Sequence, residues 1–148
     1  MQQRIMALDV GDKRIGVAVS DETNIISTAV DVIERRTLKQ DIERIKDFTK
    51  EYKIGKIIVG LPLTMKGTKS IQTEKVNKFI DILGEMINIP VLSFDERLST
   101  AQGERLLIKA DISRRKRKKL IDKIAAQIIL QTYLDWMGQT LGSDTGND

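Results

Sequence analysis

The sequence predicts one α/β domain built on a mixed five-stranded sheet, with elements in the order β-β-β-α-β-α-β-α-α and helices on both faces. Three observations predict it. Residues 5–34 fall into three strand-like runs separated by short polar turns, the pattern of an antiparallel meander. Two amphipathic stretches then enclose a short, wholly apolar run, as in strands covered on both faces. Finally, apolar residues recur at helical spacing up to Trp136.

The first strand, Ile5 to Val10, carries one acid, Asp9, inside an apolar run. A buried ionised carboxylate is costly unless it is paired or binds a metal. Gly11 opens a tight turn where a ligand can approach the backbone closely. Ile15 to Val19 is the second strand and Thr28 to Glu34 the third. Thr37 is placed to cap a helix over Leu38–Tyr52, with Ile42, Ile45, Phe48 and Tyr52 on one face; Gly55 is expected to end it. Lys56 to Gly60 is the fourth strand, followed by a loop containing Pro62 and Gly67. The next helix spans Ser70 to Ile87 with Val76, Phe79, Ile80, Leu83 and Ile87 on its apolar face. Pro90 to Phe94 is the fifth strand and leads into Asp95-Glu96-Arg97. Ser99 or Thr100 can cap a helix through about Ile108. A final helix follows the basic run and carries Ile121, Ile124, Ala125, Ile128, Ile129 and Tyr133 as its stripe. The domain is expected over residues 1–137, with 138–148 as a flexible tail rich in Gly, Ser, Thr and Asp.

A three-strand meander followed by α-β-α-β is the connectivity of the ribonuclease-H-like fold. Strands one, four and five are then parallel neighbours.

Composition narrows the chemistry. The 148 residues suit a single domain, and 41% hydrophobic with 31% charged residues is a globular profile. No apolar run reaches the roughly 18 residues of a membrane span, and the first residues lack a signal-peptide pattern, so a cytoplasmic location with no membrane partner is expected. There is no cysteine and no histidine. Disulfides, thiolate nucleophiles, zinc sites built on Cys or His, and every histidine-base mechanism are excluded. Hydrolytic chemistry must come from carboxylates, from Lys, Ser or Tyr, or from a hard metal on oxygen ligands.

In parallel α/β sheets, sites form at the carboxyl ends of the strands. That topology brings Glu96, at the end of strand five, near Asp9. A third acid, Asp122, stands near the start of the last long helix, and the small residues Ala125 and Ala126 after it permit close packing on the sheet. Three carboxylates without histidine suit Mg²⁺ or Mn²⁺, as one ion or two. Each acid also has a plain structural explanation: Asp9 as a turn acceptor, Glu96 paired to Arg97 with Asp95 as its rival, Asp122 as a first-turn acid favoured by the helix dipole. Their convergence tips the balance toward a metal site.

The formal net charge is +4, but Arg97 to Lys119 alone holds nine Lys/Arg against two acids. Much of this is the run Arg114, Arg115, Lys116, Arg117, Lys118 and Lys119, which directly precedes Asp122. A basic rim beside an acidic centre is what a nucleic-acid backbone needs, and Lys13, Arg14 and Arg97 extend it. Aromatic residues are only 4%, so recognition through the backbone or its shape is expected over base stacking.

These motifs resemble the YqgF (RuvX) family, the Holliday-junction-resolvase-like proteins also described as pre-16S ribosomal RNA nucleases. The matching segments are LDVGDKRIGVAVSD from Leu8, VGLPLTMKGT from Val59, FDERLST from Phe94 and KRKKLIDKIAAQIILQTYLD from Lys116. The family loop commonly reads Gly-Leu-Pro-Leu-Asn-Met-Asp-Gly; Thr64 and Lys66 stand here for its Asn and Asp. The resemblance implies a ribonuclease-H-like fold, Asp9, Glu96 and Asp122 as metal-binding catalytic acids, and maturation of the 5′ end of small-subunit ribosomal RNA. The alternatives are a branched-DNA resolvase, for which paired cuts favour a homodimer over a monomer, and a non-catalytic RNA-binding assembly factor. A nucleotide-binding domain ranks below them, because ATPases with a similar first phosphate loop use two such domains and this chain has one.

Overall fold

The structure is a computed structural model that describes residues 3–64, 66–97 and 113–145. Strands β1 (Arg4–Val10), β2 (Arg14–Ser20) and β3 (Ser27–Glu34) are followed by α1 (Leu38–Glu51), β4 (Ile54–Leu61), α2 (Ile71–Met86), β5 (Val91–Asp95) and α3 (Arg114–Thr145). The sheet order is β3-β2-β1-β4-β5. β1 pairs antiparallel with β2 and β2 with β3; β1–β4 and β4–β5 are parallel. This is the ribonuclease-H-like topology that the order of elements predicts. The expected helix from Ser99 or Thr100 to Ile108 lies outside the described residues.

Two cores follow from the alternation of each strand. Met6, Leu8 and Val10 of β1 face α1 and α2 with Ile42, Ile45, Val76, Phe79 and Leu83. Ile5 and Ala7 face α3, with Ala18, Ile58, Ala126, Ile129, Leu130, Tyr133 and Leu134. Asp9 continues the Ile5–Ala7 series, so it falls on the α3 side of the sheet. A one-residue slip of β1 would send it to the other face.

The helix ends are specified locally. Thr37 Oγ1 accepts from the Gln40 amide at 3.1 Å to start α1, and Ser70 and Thr73 form a reciprocal capping box on α2. The end of α1 differs from expectation. Lys53 takes the left-handed conformation at φ 54°, while Gly55 is already inside β4. β4 also runs one residue past Gly60, which makes that glycine an interior strand residue.

α3 is one uninterrupted helix that starts with the basic run and continues to Thr145, past Gly138, where the tail is expected to begin. Among the described residues its buried face is Ala126, Ile129, Leu130, Tyr133 and Leu134; Ile124, Ala125 and Ile128 are only half-buried, and the Ile121 side chain lies outside the described residues. The stripe is therefore rotated from the one read in the sequence. The reason is polar. Gln127 and Gln131, one turn apart, bond the start of β3. The Ser27 amide donates to Gln131 Oε1 at 2.9 Å, Ser27 Oγ donates to the Gln127 carbonyl at 3.0 Å, and Gln131 Nε2 donates to the Ile25 carbonyl at 2.9 Å. Lys56 fixes the far end, donating to the Tyr133 hydroxyl at 2.8 Å from above its ring. Among the described residues no helix is long and apolar enough to cross a membrane.

Candidate active site

The site lies where the carboxyl ends of β1, β4 and β5 meet α3. Asp9 is the last α3-facing residue of β1 and is half-buried. Its neighbour on β2 is Gly16. A Cβ placed on Gly16 would lie 3.7 Å from that of Asp9 and 3.5 Å from that of Ala126. A side chain on Gly16 would thus meet both Asp9 and Ala126, and Ala126 lies one helical turn beyond residue 122 in chain order.

Glu96 follows β5 directly. Its side chain lies back over β4, at Gly60: a Cβ there would stand 3.0 Å from Glu96 Oε2 and 2.6 Å from Ile129 Cδ1. The Glu96 carboxyl is pushed up to about 7, by burial first, then by the charge of Asp9 and that of Asp95. Asp9 and Glu96 are therefore electrostatic neighbours although 87 positions separate them in sequence.

Asp95 is committed elsewhere. Arg97 Nε donates to both of its oxygens at 3.0 Å, and Nη2 bonds Oδ2 at 2.5 Å. This clasp holds the Asp95 carboxyl below its usual range. Of the two adjacent acids, Glu96 is the one left to face Asp9. Arg97 is correspondingly occupied, reaching the Thr64 carbonyl at 3.4 Å as well.

The remaining predicted residues fall around this pair. Lys13 is exposed on the β1–β2 turn; Arg14 beside it pairs with Glu34 at 2.9 Å on the surface. Lys116 is exposed in the first turn of α3, where its amide donates to Ser113 Oγ at 3.4 Å. Arg114, Arg115, Arg117, Lys118, Lys119 and Asp122 have backbone in α3, and their side chains lie outside the described residues. Residue 122 is four positions before Ala126, the residue packed against Gly16.

One element that composition alone does not mark is Arg35. Its Nε donates to Asp41 at 3.1 Å, its Nη1 to the Gly11 carbonyl at 2.9 Å, and its guanidinium lies over Phe79. Asp41, 2% exposed, also accepts from the Arg36 amide at 3.0 Å. With the Arg35 amide on the Lys13 carbonyl at 2.9 Å, this network shapes the turn that follows Asp9. Its only trace in the sequence is an acid in the first turn of α1, a feature common to many helices.

Whether a divalent cation fits can be judged from the donors. Asp9 and Glu96 offer only oxygen, and the charge of Asp9 disfavours ionisation of Glu96, a repulsion that a bound dication relieves. Among the described residues no cluster of three or more candidate ligands forms; Asp9 and Glu96 are a pair, and residue 122 lies on the helix one turn before Ala126. The donor set fits Mg²⁺ or Mn²⁺ and does not fit a soft metal.

A meander-first mixed sheet with acids at the carboxyl ends of its first and last strands defines an α/β protein of the ribonuclease-H-like fold. The solved structures agree on the fold. RuvC of Thermus thermophilus, in complex with a Holliday junction substrate, superposes with a TM-score of 0.64 at 9% identity, over 94% of this chain and 97% of that one. The yeast mitochondrial Holliday junction resolvase gives 0.57 at 11% identity, over 93% and 80%. The chain belongs to the RuvX family, described as Holliday junction resolvase, whose sequence profile matches residues 3–136. Relatives include proteins named "Putative pre-16S rRNA nuclease" from Thermoanaerobacter pseudethanolicus, 54% identical over 89% of this chain and 96% of that protein, and from Halothermothrix orenii, 48% identical over 94% and 99%.

Proposed function

We propose that this protein is a divalent-metal-dependent nuclease that hydrolyses phosphodiester bonds of structured RNA, trimming the 5′ end of pre-16S ribosomal RNA in the cytoplasm. The observation that carries this reading is the pairing of Asp9 with Glu96 at the strand ends, two oxygen-donor groups held at a cost that a cation offsets. The names of the relatives support the substrate class.

Asp9 and Glu96 would hold the ion, with Asp122 as the third ligand. A bound ion would offset charge on the attacked phosphate and lower the pKa of a water nucleophile. Glu96, which keeps its proton to about pH 7 without a cation, would have to give it up to serve as a ligand. The Asp95–Arg97 clasp keeps the competing carboxylate turned away. Lys13 and the basic start of α3 neutralise flanking phosphates and set the register of the strand.

The test is cleavage of a labelled precursor RNA carrying the 5′ flank of small-subunit ribosomal RNA, in Mg²⁺, Mn²⁺ and chelator, with Asp9→Asn and Glu96→Gln alongside. A four-way DNA junction runs in parallel. Metal-dependent RNA cleavage lost in both variants is the expected result. Cutting of the junction alone would move the activity to branched DNA. Salt-sensitive binding with no cleavage of either would leave an assembly factor.

A further inference from the structure

We infer that the hairpin between β4 and α2 is a phosphate-binding arm of the active site, carrying Lys66 and Lys69, and that Arg97 positions it. The inference rests on the nuclease reading and deepens it.

The hairpin is exposed yet tightly specified. Leu63 and Lys69 pair as an isolated bridge. The Thr64 amide donates to the Thr68 carbonyl at 3.0 Å, the Gly67 amide to the Thr64 carbonyl at 2.8 Å, and the Thr64 and Thr68 hydroxyls share a bond of 2.5 Å. Gly67 sits at φ 80°, a conformation few side chains accept. Its root is pinned as well, since the fully buried Thr73 hydroxyl bonds the Pro62 carbonyl. A solvent-facing loop with this many internal bonds presents its side chains in a fixed place, which is what a positioning contact requires.

Arg97 ties that loop to the acids. Its Nη1 reaches the Thr64 carbonyl at 3.4 Å, and a Cβ on Gly67 would stand 3.4 Å from the same atom. The other face of the guanidinium grips Asp95, and Glu96 lies between the two. One three-residue unit thus holds both the metal-binding acid and the hairpin. Because Asp95 already neutralises Arg97, the attraction for an anion must come from other cations. Lys66 and Lys69 are exposed on the arm, and among the described residues neither enters an ion pair. Lys13 is exposed on the β1–β2 turn. A polyanion approaching two carboxylates is repelled at the centre, so cations on its margins are what lets it dock.

The test measures binding of the precursor RNA and of the four-way junction across a salt series, in full-length Asp9→Asn protein so that nothing is cut. Lys66→Gln or Lys69→Gln is expected to weaken binding several-fold at low salt. It should also flatten the slope of log K against log salt by about 0.7 to 0.9, one phosphate contact. Arg97→Lys keeps the charge but cannot hold Asp95 and Thr64 together. It is expected to flatten the slope equally, and Lys66→Gln added to it should change little more. If both lysine variants keep the parent's affinity and slope, the arm touches no phosphate and the inference falls alone. If Arg97→Lys keeps the slope while Arg97→Gln loses it, Arg97 is itself the phosphate contact and its positioning role is overturned. If the parent binds neither nucleic acid, the nuclease reading falls and takes the inference with it.

Discussion

Gly60 and Glu96 occupy neighbouring volumes that a single methyl would make overlap. A Cβ on residue 60 stands 3.0 Å from Glu96 Oε2, with Ile129 closer still on its other side. Ile129 is buried in the α3 core, so a methyl at residue 60 displaces a packed core side chain as well as crowding the carboxylate.

Gly60→Ala is therefore expected to act on the site as well as on the fold. Overpacking costs about 1–3 kcal/mol, which thermal melting would register as a modest loss. Cleavage should fall much further than that loss explains, together with Mn²⁺ affinity measured by calorimetry. Unchanged metal affinity would mean that Glu96 does not need its place over residue 60.

The raised Glu96 carboxyl makes a signed prediction about pH. The folded protein holds this proton to about pH 7, whereas the unfolded chain releases it near its ordinary 4.5. Between those values the folded state binds more protons, so the contribution of this group to stability is full below about pH 4.5 and declines as pH rises toward 7. In chelator, denaturant midpoints should fall over that window, and Glu96→Gln should remove this component. Divalent affinity should run the opposite way, rising with pH through 7 with proton release on binding.

Asp9→Asn removes one source of the repulsion on Glu96. The metal-free variant is expected to bring the Glu96 carboxyl down and to be no less stable than the parent at pH 8. Its cleavage rate should fall by at least ~10²-fold, within the range for a group acting directly on the reaction. Carboxyl titration by NMR checks the first and single-turnover assays the last. A Glu96 that titrates unchanged would show that Asp9 does not act on it.

Arg35→Met strands Asp41, which is 2% exposed. Removing one partner of a buried ion pair costs about 3–5 kcal/mol; the Arg36 amide remains on Asp41 and favours the low end. Asp41→Asn in the same chain should recover part of this, as coupled partners do. Urea unfolding of the single and double variants measures both.

The fold was legible because strand, turn and helix signals agree along the chain, from the alternating meander to the capping residues Thr37 and Ser70. Element ends were less so: a local signal at Gly55 was overridden by Lys53, which adopts the left-handed conformation without a glycine. The stripe of α3 was misplaced because its rotation is decided by Gln127 and Gln131 bonding to β3, a polar contact across about a hundred residues that periodicity does not see. The nearness of Asp9 and Glu96 followed from topology. The division of labour between Asp95 and Glu96 did not, since both are acids at the same strand end and only the Arg97 clasp distinguishes them. Arg35 was invisible because an arginine before a helix looks like any surface charge until its partners are placed.

β5 is one edge of the sheet: five residues, paired among the described residues with β4 alone. It carries Glu96 at its end, whereas Asp9 belongs to a strand with neighbours on both sides. The two acids thus stand on parts of the sheet with unequal resistance to local opening. Fraying of one edge can disassemble the pair while the rest of the domain stays folded. By linkage, any ligand that bridges Asp9 and Glu96 also fastens that edge to the sheet.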